Sequence, residues 1–525
     1  MPKAGHPRRK AHSGVFDMGD MFLAGVLPNS PRRAIIDASG EGRKSPGWKG
    51  SFAVLAETKG LNEECGVFGI WGHKDAAHVA YYGLHSLQHR GQEGAGIVVK
   101  DGNRLTRHRG LGLVADVFTR DALDGLKGTA AIGHVRYSTM GKNEIENVQP
   151  LLFHFENDSL ALCHNGHLVN ARTLRRELEE LGSIFQTSSD TEVMAHLIKR
   201  TPRSSVETLK RTFNKIKGGF SYILFTQNEM IAARDPNGIR PLSIGLLGKN
   251  YVIASETCAL DIIGASFVRD VRPGEMIVIN DKGMKSEMFA PETSVAICSM
   301  EYIYFARPDS DIAGVNVHKA RKNMGKILAM ESPAEADVVS AVPDSGVSAA
   351  IGFAETAGIP YEMGLIKSRY VARTFIQPSQ ELREQGVKMK LSPVRGVVAG
   401  KSVVIVDDSI VRGTTMKRIV RLLREAGAAA VHVRISSPQL KYPCFYGIDI
   451  RTKGELISFT HSVDEICAVI GANSLAFLSE EGLVKAIGSQ AEGKHMGLCM
   501  ASFNGDYPTE LHDHNEEMRD NWGRE

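Results

Sequence analysis

The stretch Val403-Val404-Ile405-Val406-Asp407-Asp408-Ser409-Ile410-Val411-Arg412-Gly413-Thr414-Thr415 decides the fold of the second half of the chain. A four-residue β-branched run ends in two carboxylates, and the chain then turns through a glycine and two threonines into a segment with helical spacing. A strand end that opens onto a helix N-terminus brings backbone N–H groups and hydroxyls to one point, which suits a phosphate monoester. The paired carboxylates before it can accept hydrogen bonds from sugar hydroxyls or hold Mg²⁺ through oxygen. Strand, glycine loop and helix recur: 336–342 then 346–357, 402–406 then 414–426, and 430–435 after them. That alternation predicts a parallel sheet with helices packed on its faces.

Upstream the rhythm differs. From Cys65 to about Phe289 the chain reads as short strands with glycine-rich turns, at 94–99, 130–136, 160–164, 221–225, 230–234, 251–255 and 276–279. Two stretches carry helical spacing, Asn170–Leu181 and Ser189–Arg200, each opened by a capping residue, Asn or Ser. A β-rich layered α/β domain with outer helices is expected, and the change of rhythm near Arg307-Pro308-Asp309-Ser310 puts the boundary at about 290–300. The expected organisation is a leader over 1–64, a first domain over 65–295, and a second over 296–525 that ends in a helical region.

Composition narrows the function classes. With 42% hydrophobic and 23% charged residues among 525, the chain is that of an ordinary globular protein of several domains. A net charge of +3 gives no basic footprint, so nucleic acid is not the expected partner. No apolar run is long enough to cross a membrane. Seven cysteines without close pairing argue for a reducing, cytoplasmic setting over a disulfide framework. Residues 1–50 hold nine Lys or Arg against four acids, with repeated Pro and Gly, and read as a flexible extension, with a targeting peptide as the alternative.

Cys65 stands in Glu63-Glu64-Cys65-Gly66-Val67-Phe68-Gly69-Ile70, at the head of a first apolar strand. A thiol nucleophile needs a base, and the neighbourhood supplies none. Cutting Glu64–Cys65 would create one, because the freed α-amine, with a pKa near 8, can take the thiol proton. On these residues alone a buried structural cysteine remains open. The motifs that follow are Leu87-Gln88-His89-Arg90-Gly91-Gln92-Glu93-Gly94-Ala95-Gly96, Gly133-His134-Val135-Arg136-Tyr137-Ser138-Thr139, His164-Asn165-Gly166 and Ser188-Ser189-Asp190-Thr191-Glu192.

Taken together these motifs resemble an N-terminal-nucleophile glutamine amidotransferase domain, an α/β/β/α sandwich. The resemblance implies Cys65 as nucleophile, Arg136 on the glutamine α-carboxylate, Asp190 on its α-ammonium, and Asn165 with the Gly166 N–H as oxyanion hole. The 403–415 stretch resembles the phosphoribosyl pyrophosphate (PRPP) loop of type I phosphoribosyltransferases. That implies Asp407 and Asp408 at the ribose and Mg²⁺, with Ser409, Arg412, Gly413, Thr414 and Thr415 around the 5′-phosphate. Val342-Pro343-Asp344-Ser345-Gly346 looks like the pyrophosphate loop of that family, with Ser345 helping to place the metal, and 367–390 has the composition of a mobile lid.

Both halves on one chain resemble the glutamine PRPP amidotransferase family, in its propeptide-bearing, iron–sulfur branch, and Tyr302 to Ser310 matches at the junction. The resemblance implies ammonia transfer from glutamine to C1 of PRPP, feedback inhibition by purine nucleotides, and a homotetramer. It also sets Cys298, Cys444 and Cys499 at three positions of a [4Fe–4S] cluster, with Ser502 where the branch has its fourth cysteine. Serine is a harder, more basic ligand than thiolate, so a cluster with oxygen at one iron, a three-iron cluster, or none are the outcomes left open. Cys163, Cys258 and Cys467 read as core residues. Two other functions are weighed: a PRPP-sensing regulator without turnover, and an amidotransferase with a different acceptor.

Overall fold

In the strand Gly66–Trp71 every residue is buried, and its side chains divide cleanly between two faces. Val67 and Trp71 enter one apolar cluster, while Phe68 and Ile70 enter another. The strand therefore lies between two layers, and the computed structural model shows which. It describes residues 65–137, 144–155, 159–200, 206–291, 294–368, 391–448, 450, 453–488 and 497–522. The leader, Ser138 and Thr139, and lid residues 369–390 lie outside the described residues.

Gly66–Trp71 is central in a seven-stranded sheet ordered Ser266–Asp270, Ser243–Leu247, Asn250–Ala254, Gly66–Trp71, Ala130–Arg136, Gly94–Asp101 and Arg104–Leu111. A six-stranded sheet runs Gly283–Met288, Glu275–Asn280, Met230–Arg234, Gly218–Phe225, Ser159–Leu168 and Leu151–His154. Val67, Val98 and Ile132 of the first sheet pack on Cys163, Ile223 and Ile277 of the second, forming the inter-sheet core. Helices Ala76–Ser86 and Thr257–Ile262 cover the outer face of the first sheet. Helices Ala171–Glu180, Thr191–Arg200 and Val206–Lys215 cover the second. The four layers are the α/β/β/α sandwich.

One expectation about these helices is corrected. Asn170 does not cap Ala171–Glu180 with its side chain. Its amide instead donates to the Lys215 carbonyl and accepts from Lys217 N–H, at 2.9 Å each. The first-turn N–H groups of Arg172 and Thr173 go to the carboxylate of Asp513, at 2.7 and 3.2 Å. The cap thus comes from near the C-terminus of the chain, a partner that local sequence cannot reveal.

After residue 296 the second pattern holds. Val338–Ala341, Ser402–Asp407, Ala430–Ile435 and Ser474–Phe477 form a parallel sheet in that order. Val404 and Val406 face one core and Val403 and Ile405 the other, as a sheet covered on both faces requires. The fourth strand was not expected from the sequence. Its residues are half-buried, so Ser474-Leu475-Ala476-Phe477 lacks the continuous apolar run that marks its neighbours. Ala296–Cys298 pairs in parallel with Gly497–Cys499, tying the start of this half to its end. All described residues belong to one compact unit, Glu57–Glu525.

Candidate active sites

Cys65 sits at the head of the central strand, and the register Gly66↔Val135 places Arg136 beside it. The opposite wall comes from the second sheet, where Asn165 and Gly166 lie on Ser159–Leu168, paired with Ser221 and Phe220. Asp190 immediately precedes helix Thr191–Arg200. Cys65, Arg136, Asn165 and Asp190 are buried, and Arg136 and Asp190 both act electrostatically on the Cys65 thiol. Burial pushes that thiol up from its ordinary pKa, against the lowering effect of a backbone hydrogen bond with Tyr137 and of Arg136. The thiol is therefore held in its protonated form.

Asn165 is the most telling residue. Its side chain is fully buried, yet neither Nδ2 nor Oδ1 has a hydrogen-bond partner among the described residues. An unmet buried amide costs about 1–3 kcal/mol. Gly166 beside it has φ +132°, and a Cβ there would lie 2.0 Å from the Gly219 carbonyl oxygen. Only glycine fits, which leaves its backbone N–H uncovered by a side chain.

Asp190 is held by Leu168 N–H at 3.0 Å and by His167 Nδ1 at 3.4 Å, with His164 Nδ1 at 3.9 Å. The His164 distance is the longer of the two ring contacts. Despite burial, these partners keep its carboxyl well below the usual range. It is an anion in place before any cation arrives. His134 and His164 are themselves pushed down by burial, to about 3 and about 4, so both rings are neutral near pH 7. These histidines, like Tyr222 stacked on His164 at 4.2 Å, were not assigned roles from the sequence.

In the second site Asp407 ends its strand and accepts from Asp408 N–H at 2.9 Å. Ser345 and Ser409 both hydrogen-bond the Asp408 carboxyl, which brings the two loops to one point. Burial raises both carboxyls, and in Asp407 the adjacent Asp408 charge adds to the rise. Two close carboxylates with raised proton affinity are what a divalent cation displaces protons from, so Mg²⁺ fits Asp407, Asp408 and Ser345. Among the described residues, no three or more His, Cys, Asp or Glu are arranged to hold a metal ion by themselves. Mg²⁺ would therefore draw its remaining ligands from substrate oxygens and water, its usual habit. Gly413, at φ +73°, turns the chain into helix Thr414–Glu425, whose first turn receives no side-chain cap from it. Thr414 and Thr415 are exposed there. Arg412 is drawn aside, with Nη2 on Glu455 at 2.8 Å.

The three cysteines also converge. Cys298 and Cys499 are register partners, and Cys444 is close enough to both for their charges to interact. The Ser502 carbonyl accepts from Lys441 and Tyr442 N–H at 2.9 and 3.1 Å, which holds this turn against the strand of chain leading to Cys444. All four are buried, and burial pushes the Cys298 and Cys499 thiols up to about 12. As they stand, the three cysteines are not arranged to hold a metal ion, since no group of three or more Cys, His, Asp or Glu among the described residues is. Cys163 and Cys258 are core residues as expected, whereas Cys467 is only partly buried.

Residues 134–261 match the family described as glutamine amidotransferase domain, and 316–440 match the phosphoribosyl transferase domain. The chain is 63% identical over 461 residues to an amidophosphoribosyltransferase of Bacillus subtilis, covering 87% of this chain and 97% of that one. It is 57% identical over 458 residues to an amidophosphoribosyltransferase of Staphylococcus aureus, covering 87% and 93%. A solved structure of the glutamine PRPP amidotransferase of B. subtilis, complexed with ADP and GMP, aligns with TM-score 0.82 over 85% of this chain and 98% of that one.

Asn165→Ala should lower the rate of glutamate release by about 10²–10³ with a smaller effect on KM for glutamine, measured by steady-state kinetics. A raised KM for glutamine with kcat unchanged would instead make Asn165 a ground-state binder.

Proposed function

We propose residue roles for this chain from one premise: it belongs to the amidophosphoribosyltransferase family. It is an enzyme that aminates PRPP with the amide nitrogen of glutamine, in purine biosynthesis. The amide of Asn165, buried without a hydrogen-bond partner among the described residues, is the observation that carries the assignment of the first site.

Removal of residues 1–64 frees the α-amine of Cys65. That amine takes the thiol proton, and the thiolate attacks the side-chain carbonyl of glutamine. Arg136 pairs with the substrate α-carboxylate and Asp190 with its α-ammonium. The oxyanion of the tetrahedral intermediate is met by Asn165 Nδ2 and the Gly166 N–H. The C–N bond breaks as the amine returns its proton to the nitrogen, and ammonia leaves. Water then hydrolyses the γ-glutamyl thioester to glutamate and restores the thiol.

In the second site the helix start at 413–415, with Ser409, takes the 5′-phosphate, while Asp407 and Asp408 meet the ribose hydroxyls. Asp407, Asp408 and Ser345 would hold Mg²⁺, which would supply charge neutralisation for the departing pyrophosphate. Ammonia forms the new C1–N bond as the C1–O bond to pyrophosphate breaks, and loss of one proton gives 5-phosphoribosylamine. Because the Arg412 guanidinium pairs with Glu455, its contribution to phosphate binding requires that pair to open. We assign 65–295 to the glutaminase half and 296–525 to the phosphoribosyl half.

The wider setting is a cytoplasmic homotetramer inhibited by purine nucleotides. Support for nucleotide control is that the B. subtilis relative binds ADP and GMP in its solved form. Cys298, Cys444, Cys499 and Ser502 are proposed to hold a [4Fe–4S] cluster whose serine corner is its weakest. Such a cluster would supply a covalent tie between the start and end of the second half.

Cys65→Ala should abolish glutamine-dependent pyrophosphate release while ammonium salts still support it; loss of both would refute the division of labour between the two sites. Anaerobically purified protein should contain iron and sulfide, and Ser502→Cys should retain them longer in air. Iron-free protein from both chains would refute the cluster.

A further inference from the structure

The fold treats the two oxygens of the Asp190 carboxylate differently. Oδ2 accepts from Leu168 N–H at 3.0 Å and meets His167 Nδ1 at 3.4 Å. A carboxylate can only accept, so that ring nitrogen carries the proton of the contact. No hydrogen bond reaches Oδ1 among the described residues. The ring nitrogen that faces it, His164 Nδ1, is 3.9 Å away and is engaged with Thr191 Oγ1 at 3.2 Å. One oxygen is thus fixed by the protein, and the other keeps its capacity to accept. Burial works to raise the proton affinity of this carboxyl, and the bond from His167 is foremost among the contacts that outweigh it.

His167 is buried, and its ring is backed from the second half of the chain. The His514 ring packs on it, with centroids 5.8 Å apart and planes at 52°. His514 is buried too, its ring 4.7 Å from that of Phe445 and its Nδ1 3.2 Å from Glu517 Oε2. The turn His512–His514 is pinned to the first half beside this pair. Asp513 N–H donates to the Val169 carbonyl at 3.1 Å, and the Asp513 carboxylate also accepts from Thr173 Oγ1 at 2.6 Å. Val169 lies two residues after His167, so one turn both grips the end of this strand and backs the ring that holds Asp190.

We propose that His167 is a positioning residue of the glutamine site: it fixes Asp190 through Oδ2 so that Oδ1 is presented to the substrate α-ammonium, and His514 keeps the His167 ring in place. The arrangement makes the site specific for amides that carry an α-ammonium. An anion already aimed by its neighbours needs no reordering when the cation arrives, so more of the ion-pair energy appears as affinity. Without His167 the carboxylate would turn toward its remaining donor, Leu168 N–H, with nothing to set the angle of the second oxygen. The inference rests on the reading of Asp190 as the partner of the glutamine α-ammonium, and it names the groups that give that residue its orientation.

The test compares glutamine with glutaramate, which has the same side-chain amide but no α-ammonium. Both are given to the mature full-length enzyme with Mg²⁺–PRPP present, and formation of glutamate or glutarate is followed. Wild type should prefer glutamine in kcat/KM, and Asp190→Asn should lose the preference. Hydrogen bonds to charged groups contribute a factor of about 10–150, so His167→Ala should raise KM for glutamine by a factor in that range. Its kcat for glutamine and its kcat/KM for glutaramate should stay within about threefold of wild type, a split that general loss of structure would not produce. His167→Asn, whose Nδ2 donor stands as many bonds from the backbone as the histidine Nδ1, should recover most of the preference. His514→Ala should lose a smaller part of it, and decides the matter if His167→Ala does not fold. Retention of the full preference in these alanine variants, or an equal loss with both substrates, overturns the proposal. A wild-type enzyme without the preference, or an Asp190→Asn variant that keeps it, overturns the reading of Asp190 itself.

Discussion

The arrangement around Cys65 depends on the burial of Arg90 between two glutamates. Arg90 has its full fork satisfied by Glu256, Glu301 and the Cys65 carbonyl, without solvent. Charges of this kind are expensive to bury, and removal of one partner from such a group costs about 3–5 kcal/mol. Against a total stability of about 5–15 kcal/mol that is a large share. Its return is that Cys65, the first described residue of the chain, is fixed by a side chain as well as by the sheet. Strands on both sides of Gly66–Trp71, Ala130–Arg136 and Asn250–Ala254, complete the hold.

Both candidate sites carry a stability cost that a substrate would offset. In the first it is the amide of Asn165, buried without a partner. In the second it is the Asp407–Asp408 pair, whose proton affinity burial raises. Strain and unmet polar groups of this sort gather at functional positions because the surrounding fold over-determines them. Here the over-determination is visible in Gly166, pressed against the Gly219 carbonyl, and in Gly346, where a Cβ would sit 2.5 Å from the Val406 carbonyl oxygen.

Much of this is legible in the sequence where local rules suffice. Val403 to Thr415 announces a strand, a carboxylate pair and a helix start because each follows from adjacent residues, and the structure has them at Ser402–Asp407 and Thr414–Glu425. The strand Ser474–Phe477 is missed because its residues are only half-buried, and the cap of Ala171–Glu180 because Asp513 supplies it from 340 residues away. Glu256 and Glu301 are illegible for a related reason. A glutamate after an apolar strand, or before an aromatic run, reads as a surface residue until the fold sets Arg90 between the two. Arg412 shows the converse, since its motif position suggests a phosphate contact and its side chain pairs with Glu455.

The account turns on the claim that Cys65 acts with its own α-amine as base, which requires the Glu64–Cys65 bond to be cut. Intact-mass measurement with N-terminal sequencing of the purified, active enzyme tests this directly. The predicted result is a mature chain beginning at Cys65; full glutamine-dependent activity in protein that still carries residues before Cys65 would contradict it.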